Sequence, residues 1–220
     1  MNTRLTGAVA LLAGAASFWL GPVFAQTTGS KKANWFADGG DNARTSWQRD
    51  ETLLSPTTVK GMKLLWTVQT DNQPRQLHNL FAPLIVSDVA TASGPREIAV
   101  VAGVSDNIYG IDVEKGTQVW KRHFDSTFEE PAGGRGGGPL CPGGQTATPT
   151  IAPNGAPGKY KIYAVSWDGR LRQLDVATWE DLAAPEPFLP PNGKVYALNL
   201  FKNVIYTTTA QGSGGEPNQL

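Results

Sequence analysis

Residues that most often carry chemistry are scarce in this chain, which has one cysteine and two histidines among its 220 residues. His78 and His123 lie 45 positions apart, without the helical or turn spacing that brings two metal ligands together. We therefore expect structural histidines and predict no metal site. Cys141 has no second cysteine with which to form a disulfide or a cysteine-type zinc site. Its thiol is either buried and inert or paired outside this chain.

A glycine-rich stretch, GGRGGGPLCPGG over residues 133–144, invites a ligand-binding interpretation. It lacks the Gly-Lys-Ser/Thr ending of a phosphate-binding loop and the glycine spacing of a dinucleotide site. The pattern favours a long loop between two structural units, whose backbone amides could contact a ligand if the loop faces one. Arg135 lies in this loop, where a solvated arginine is expected.

The composition favours an all-β protein with many turns. Its 25 Gly and 16 Pro argue against a helical bundle, and its 20 aromatic residues argue against disorder. With 19 basic and 19 acidic side chains the chain lacks the positive charge that nucleic-acid binding requires.

The N-terminus has the features of a secretion signal over residues 1–25. Arg4 precedes an apolar run, and Val-Phe-Ala at positions 23–25 fits a cleavage site. The alternative is an uncleaved membrane anchor, but the run of about 14 residues is shorter than the roughly 20 that a spanning helix needs. Cleavage before Gln26 predicts a periplasmic or secreted protein without a membrane span.

Residues 26–69 are expected to form a linker and a lead-in segment. Turn-forming residues fill positions 35–42, and Ser55 followed by Pro56 is typical of the start of a short helical turn. The apolar residues at 64–68 predict a strand.

An internal repeat organises residues 70–220. The first copy runs from Pro83 through the strand-like stretches at 98–102 and 106–112, and the second begins at Pro149. The two prolines are 66 positions apart, and Asp112 and Asp175, which occupy equivalent places, are 63 apart. A third copy begins at residues 194–208. Short β-rich runs separated by Gly, Asp, Asn and Pro turns predict four-stranded antiparallel blades of a β-propeller, about two and a half of them here.

Within each blade the repeated residues have definable structural roles. Asp112 and Asp175 should cap a strand end and open the next turn, and Gly116 should supply a positive φ. Trp120 should be buried as a large apolar wedge between neighbouring sheets. In the second copy Trp179 stands where the first has Gly116, so we expect that turn to take a different shape.

The segment YGIDVEKGTQVW at 109–120 resembles the repeat of pyrroloquinoline-quinone (PQQ) enzymes. GGDNAR at 39–44 and LSPTTVKGMKLLW at 54–66 are similar to the lead-in segment of quinoprotein alcohol dehydrogenases. The resemblance implies a periplasmic propeller of seven or eight blades, of which this chain would hold the N-terminal part.

The same resemblance implies PQQ and a calcium ion on the propeller axis, lined by a Glu before the first Pro, a vicinal cysteine pair and an Arg-Gly. Residues 80–82, before Pro83, contain no carboxylate, and no vicinal cysteine pair exists. Arg135 and Gly136 match the Arg-Gly position, which makes Arg135 the candidate cofactor-binding residue. The family's calcium ligands and catalytic Asp come from later blades, so no catalytic residue is assigned.

Three functions remain open from the sequence. The lead-in segment favours a quinoprotein oxidoreductase that oxidises a small alcohol or sugar and reduces a periplasmic acceptor. The missing Glu and cysteine pair favour a non-catalytic propeller that serves as a binding or assembly scaffold. A hydrolase is the third, although no Ser/His/Asp spacing supports it.

Overall fold

Each full copy of the repeat folds into one antiparallel sheet in the computed structural model, which describes residues 33–74, 79–125, 147–191 and 193–209. The proposed secretion signal, His78, Cys141 and Arg135 with its glycine-rich stretch lie outside the described residues. Alternating apolar residues between Gly, Asp and Pro turns account for the strands and their ends.

Sheet 1 contains β1 (Leu84–Thr91), β2 (Gly94–Gly103), β3 (Asn107–Asp112) and β4 (Thr117–His123), hydrogen-bonded in that order. Sheet 2 contains β5 (Thr150–Pro153), β6 (Tyr160–Val165), β7 (Arg170–Asp175) and β8 (Glu186–Pro187), in the same order. The third copy begins as a hairpin of β9 (Asn199–Phe201) and β10 (Val204–Tyr206). Two four-stranded antiparallel units and part of a third were predicted, and this prediction is confirmed.

The sheets stack face to face through three apolar layers. Between sheets 1 and 2 the largest fully buried side chains are Leu84, Ile98, Ile108, Ile162 and Leu174. A second layer joins sheet 2 to the hairpin, and a third joins the outer face of sheet 1 to the lead-in segment. Burial of each large aliphatic side chain stabilises the stack by about 1.5–3 kcal/mol.

The turn after β3 is built by Asp112, as predicted. Its carboxylate accepts from the backbone N–H of Lys115 at 3.0 Å, and its carbonyl accepts from that of Gly116 at 2.8 Å. Gly116 has a φ of +62°, which a glycine adopts without strain. The carboxylate also forms an ion pair with Arg96, which offsets the energetic cost of burying its negative charge.

The corresponding turn in sheet 2 corrects our expectation for Trp179. This residue has a φ of +58°, and its N–H donates to the Asp175 carbonyl at 2.8 Å, as Gly116 donates to Asp112. The Asp175 carboxylate accepts from the N–H of Thr178 at 3.0 Å. The turn therefore keeps its shape, because the capping hydrogen bonds hold a non-glycine residue in the left-handed region.

The lead-in segment contains one short 3₁₀ helix, Val59–Gly61, at the predicted helical turn. Ser55 accepts through Oγ from the N–H of Thr58 at 3.1 Å, so the turn begins where it was expected. No strand forms at 64–68, where one was predicted, and this stretch pairs with no other strand among the described residues. Trp66 and Val68 pack on sheet 1, whereas Leu64 and Leu65 are 82% and 84% exposed.

Candidate functional site: the loop-bearing end of sheet 1

The connections between successive units meet at one end of the stack, which we call the loop-bearing end. Residues 79–83 enter β1 there, the turn at 104–106 joins β2 to β3, and β4 ends there at His123. Loops positioned by a rigid sheet are where binding residues most often lie. This end is therefore the candidate site.

A buried network of amide side chains orders these loops. Asn72 donates from Nδ2 to the carbonyl and to Oδ1 of Asn79, both at 2.8 Å. Asn72 Oδ1 accepts from the N–H of Ser105 and from Asn107 Nδ2, each at 3.2 Å. Asn72 and Asn107 are 6% and 4% exposed. Because every buried amide here has a partner, the network fixes the loops against sheet 1.

His123 joins the edge of this network. Its Nδ1 lies 3.0 Å from Asn107 Oδ1, and its Nε2 lies 3.7 Å from the carboxylate of Asp125. The ring is half exposed. Among the described residues, no three His, Cys, Asp or Glu side chains gather as metal ligands.

Asp71 links the lead-in segment to the outer face of sheet 1. Its carboxylate accepts from the Tyr109 hydroxyl at 3.0 Å and from Lys121 Nζ at 2.6 Å. The hydrogen bonds from Lys121 and Tyr109 hold the pKa of Asp71 below its ordinary value. Burial, and then the Asp71 carboxylate, raise the pKa of Tyr109 far above its ordinary value. Tyr109 therefore stays a neutral hydrogen-bond donor and is no acid–base candidate at neutral pH.

The lead-in segment also runs along the inner edges of all three units, which sequence reasoning did not anticipate. Trp35 exchanges two backbone hydrogen bonds with Ile85 of β1, at 2.8 and 3.0 Å. The carbonyl of Phe36 accepts from the N–H of Ile151 in β5 at 2.8 Å. One backbone position on the otherwise free edge of β1 and one on that of β5 are therefore paired.

The same segment reaches the hairpin through two side chains. Asn42 donates to the carbonyl of Leu200 at 2.7 Å, and Arg44 donates to that of Ala197 at 3.0 Å. Arg44 itself has a φ of +52°, a left-handed conformation that is costly for this residue type. A cleft of about 320 Å³ lies beside it, lined by Tyr196 among others.

The structure locates only part of the site that the resemblance implies. The last residues before Pro83 lie at the loop-bearing end, where Leu80 is 40% exposed and forms a bridge with Gly103. The resemblance implies a Glu just before Pro83, and residues 80–82 at this end carry no carboxylate. Arg135, the predicted cofactor-binding residue, lies outside the described residues, so its role stays a prediction.

Comparison with known proteins identifies the fold. No protein-family model and no curated protein sequence matches the chain. Among solved structures, it is similar to quinohemoprotein alcohol dehydrogenase from Comamonas testosteroni, with a TM-score of 0.55 and 20% sequence identity. The match covers 82% of this chain but only 24% of that enzyme.

The resemblance of the repeat at 109–120 to that of PQQ enzymes implies PQQ as a cofactor. PQQ carries several carboxylates and its calcium ion prefers oxygen ligands, so a site would need both cationic donors and carboxylates. Leu80 offers neither, and the described residues contain no acidic cluster. The described residues therefore do not fit PQQ and its calcium ion.

In the described part of the chain, no helix is long and apolar enough to cross a membrane. The stacked four-stranded sheets and the structural neighbour together show that each copy of the repeat forms a propeller blade. The chain folds as an open, partial β-propeller of two blades and part of a third.

Proposed function

We propose that this chain forms part of the propeller of an exported PQQ-dependent oxidoreductase, which oxidises a small alcohol or sugar and passes the electrons to a periplasmic acceptor. One observation carries the proposal: the order of parts along the chain. A lead-in segment similar to that of quinoprotein alcohol dehydrogenases precedes two blades with the PQQ-type repeat. The fold of a quinohemoprotein alcohol dehydrogenase supports the same assignment. Residues 1–25, as a secretion signal, support export.

A non-catalytic propeller scaffold is the second candidate, and Leu80 favours it. The family's carboxylate is absent from a position that the fold keeps at the loop-bearing end. A scaffold has no need of a carboxylate there, whereas an enzyme would have to supply the missing ligand from elsewhere.

Binding of PQQ and calcium to single-residue variants distinguishes the two candidates. The quinone absorbance is followed during titration of the 220-residue chain, with and without calcium. The oxidoreductase proposal expects Leu80→Glu to bind about tenfold more tightly than the parent chain, because a carboxylate is a calcium ligand. Arg135→Ala should bind more weakly than the parent chain.

Val119→Glu is the matched control, because Val119 is 38% exposed but lies on β4 away from the loops. It should bind as the parent chain does. If all four proteins give the same titration, the quinoprotein proposal fails and the scaffold candidate is favoured.

A further inference from the structure

A cleft of about 590 Å³ lies between sheets 1 and 2, at the end of the stack opposite the loop-bearing end. The β1–β2 turn lines one side, and the other side is lined by Lys159, before β6, and by Ala177 and Thr178, after β7. Small-molecule sites have volumes of about 300–1,000 Å³ and combine an apolar lining with a few polar groups. The cleft has the volume of such a site, so its lining decides what it can bind.

Much of the lining of the cleft is apolar. Ile98 and Val119 of sheet 1 line it together with Ala90 and Ala177. Ile98 is 2% exposed, whereas Val119 on β4 is 38% exposed. A ligand with an apolar body would remove more of Val119 from water, and such burial favours binding.

Arg96 provides a fixed guanidinium on the sheet 1 side of the cleft. It donates from Nε and Nη2 to Ser93 Oγ, at 3.1 and 2.8 Å, and forms an ion pair with Asp112. Thr91 Oγ1 accepts from the N–H of Ser93 at 3.3 Å, which orders the turn that carries Ser93. A guanidinium has more N–H groups than these bonds use, so Arg96 can also donate to a carboxylate in the cleft.

Lys159 provides a second cation from the sheet 2 side. The preceding residue, Gly158, accepts through its carbonyl from the N–H of Ala90 at 2.8 Å, which fixes this loop against β1. No Asp or Glu is among the described residues that line the cleft, and Asp112, the partner of Arg96, is buried. The charged groups that line the cleft are therefore both positive.

We infer that this cleft binds a small molecule with one carboxylate and a short apolar body. The carboxylate lies between Arg96 and Lys159, and the apolar body lies against Ile98 and Val119. The two cations select an anion, and the apolar lining favours an organic acid over an inorganic anion such as phosphate. This site is separate from the loop-bearing end and does not depend on the proposed function.

Binding of hexanoate to the 220-residue chain tests this inference. Hexanamide has the same apolar tail without the charge, and acetate has the charge without the tail. Hexanoate should shift the ¹H–¹⁵N NMR signals of Ala177 and Thr178 in the cleft, but not that of Ser105 at the loop-bearing end. Hexanamide and acetate should each bind about tenfold more weakly than hexanoate, because each lacks one of the two contacts.

Substitutions in the cleft test the two contacts separately. Lys159→Gln should bind hexanoate about fivefold more weakly because it removes one cation, whereas Lys159→Arg should bind as the parent chain does. Val119→Glu should bind about tenfold more weakly or worse, because it places a carboxylate beside the ligand. Lys60→Gln is the matched control, since Lys60 is exposed in the 3₁₀ helix of the lead-in segment, outside the cleft, and it should bind normally.

Absence of hexanoate-induced shifts at Ala177 and Thr178, equal affinities for hexanamide and hexanoate, or unchanged affinity in Lys159→Gln would each overturn the inference. A loss in Lys60→Gln as large as that in Lys159→Gln would also overturn it, because net charge and not the cleft would then attract the carboxylate. Circular dichroism of each variant confirms that its sheets are intact.

Discussion

Trp120 of sheet 1 donates from its indole nitrogen to the backbone carbonyl of Val176 in sheet 2, across 2.9 Å. The indole is 4% exposed and lies over Gly110 of the neighbouring strand. One side chain thus joins the two blades by apolar burial and by a buried hydrogen bond. The predicted burial of Trp120 between adjacent sheets is confirmed.

Replacing this indole should separate its two contributions. Trp120→Ala should lower the free energy of unfolding by about 3–5 kcal/mol, because it leaves a cavity between the sheets. Trp120→Phe keeps most of the apolar contact and should lower the free energy of unfolding by less. Its main effect is to leave the carbonyl of Val176 without a hydrogen bond, which costs about 1–3 kcal/mol. Urea unfolding followed by far-ultraviolet circular dichroism measures both. An unchanged midpoint in Trp120→Ala would refute the wedge role.

Glycine substitutions should reveal how closely the two docked indoles approach the backbone. A Cβ at Gly116 would overlap the Trp66 ring, and one at Gly110 would overlap Trp120. Each Ala variant should be destabilised by about 1–3 kcal/mol from overpacking, and Gly116 adds the strain of its positive φ. Gly61→Ala is the control, because nothing lies within 4 Å of its added Cβ. Equal melting temperatures in all three variants would contradict the close approach.

Trp179 allows the opposite substitution, in which a strained non-glycine residue is replaced by glycine. Trp179 bears left-handed strain at a φ of +58°, and its side chain is only partly buried, with 40% exposed. Trp179→Gly should therefore stabilise the chain by about 0.5–1 kcal/mol, since relief of about 1–2 kcal/mol exceeds the entropic cost of glycine. Thr178→Gly, one residue earlier, should destabilise it. A loss of stability in Trp179→Gly would mean that the indole makes contacts worth more than the strain.

The ion pair of Asp112 with Arg96 predicts acid sensitivity. Burial raises the pKa of Asp112, but the N–H of Lys115 and the Arg96 guanidinium outweigh it, so the pKa lies below its ordinary 3.8. The carboxylate therefore stabilises the fold above pH 3.8, and this stabilisation is lost as pH falls through 3.8 toward the folded-state pKa.

The free energy of unfolding, measured across this pH range, shows whether stability falls with pH as expected. Asp112→Asn should be less stable than the parent chain at neutral pH, and the difference should shrink below pH 3.8. Asp125→Asn is the control, because the Asp125 side chain is fully exposed. This variant should lose stability at acidic pH by the same amount as the parent chain. A constant difference between Asp112→Asn and the parent at all pH values would exclude Asp112 as the titrating group.

Catalysis by this chain alone is not expected. A ligand on a propeller axis contacts most blades, and the chain spans 24% of the quinohemoprotein that it resembles. Dye-linked oxidation of alcohols by the 220-residue chain with PQQ and calcium should equal the background without protein. Calcium-dependent alcohol oxidation above that background would contradict this prediction.

Local patterns predicted the blades well, because strand alternation, turn residues and the repeated aspartates act over a few positions. They failed at Trp179, where capping by Asp175 outweighed the φ preference of the residue. They could not foresee the amide network around Asn72, whose partners lie 33 and 35 positions away. The predicted strand at 64–68 was wrong, since strand pairing depends on a neighbour that local sequence does not specify.

The contacts between Asn42 and Leu200 and between Arg44 and Ala197 span 158 and 153 positions. The sheets close through turns between neighbouring strands, so they form quickly and locally, whereas these contacts require one of the longest loop closures in the chain. During synthesis the lead-in segment leaves the ribosome early, but its last partners are made more than 150 residues later. The lead-in segment can therefore contact the first two units as each is made, but the contacts of Asn42 and Arg44 can form only after the third unit has been translated.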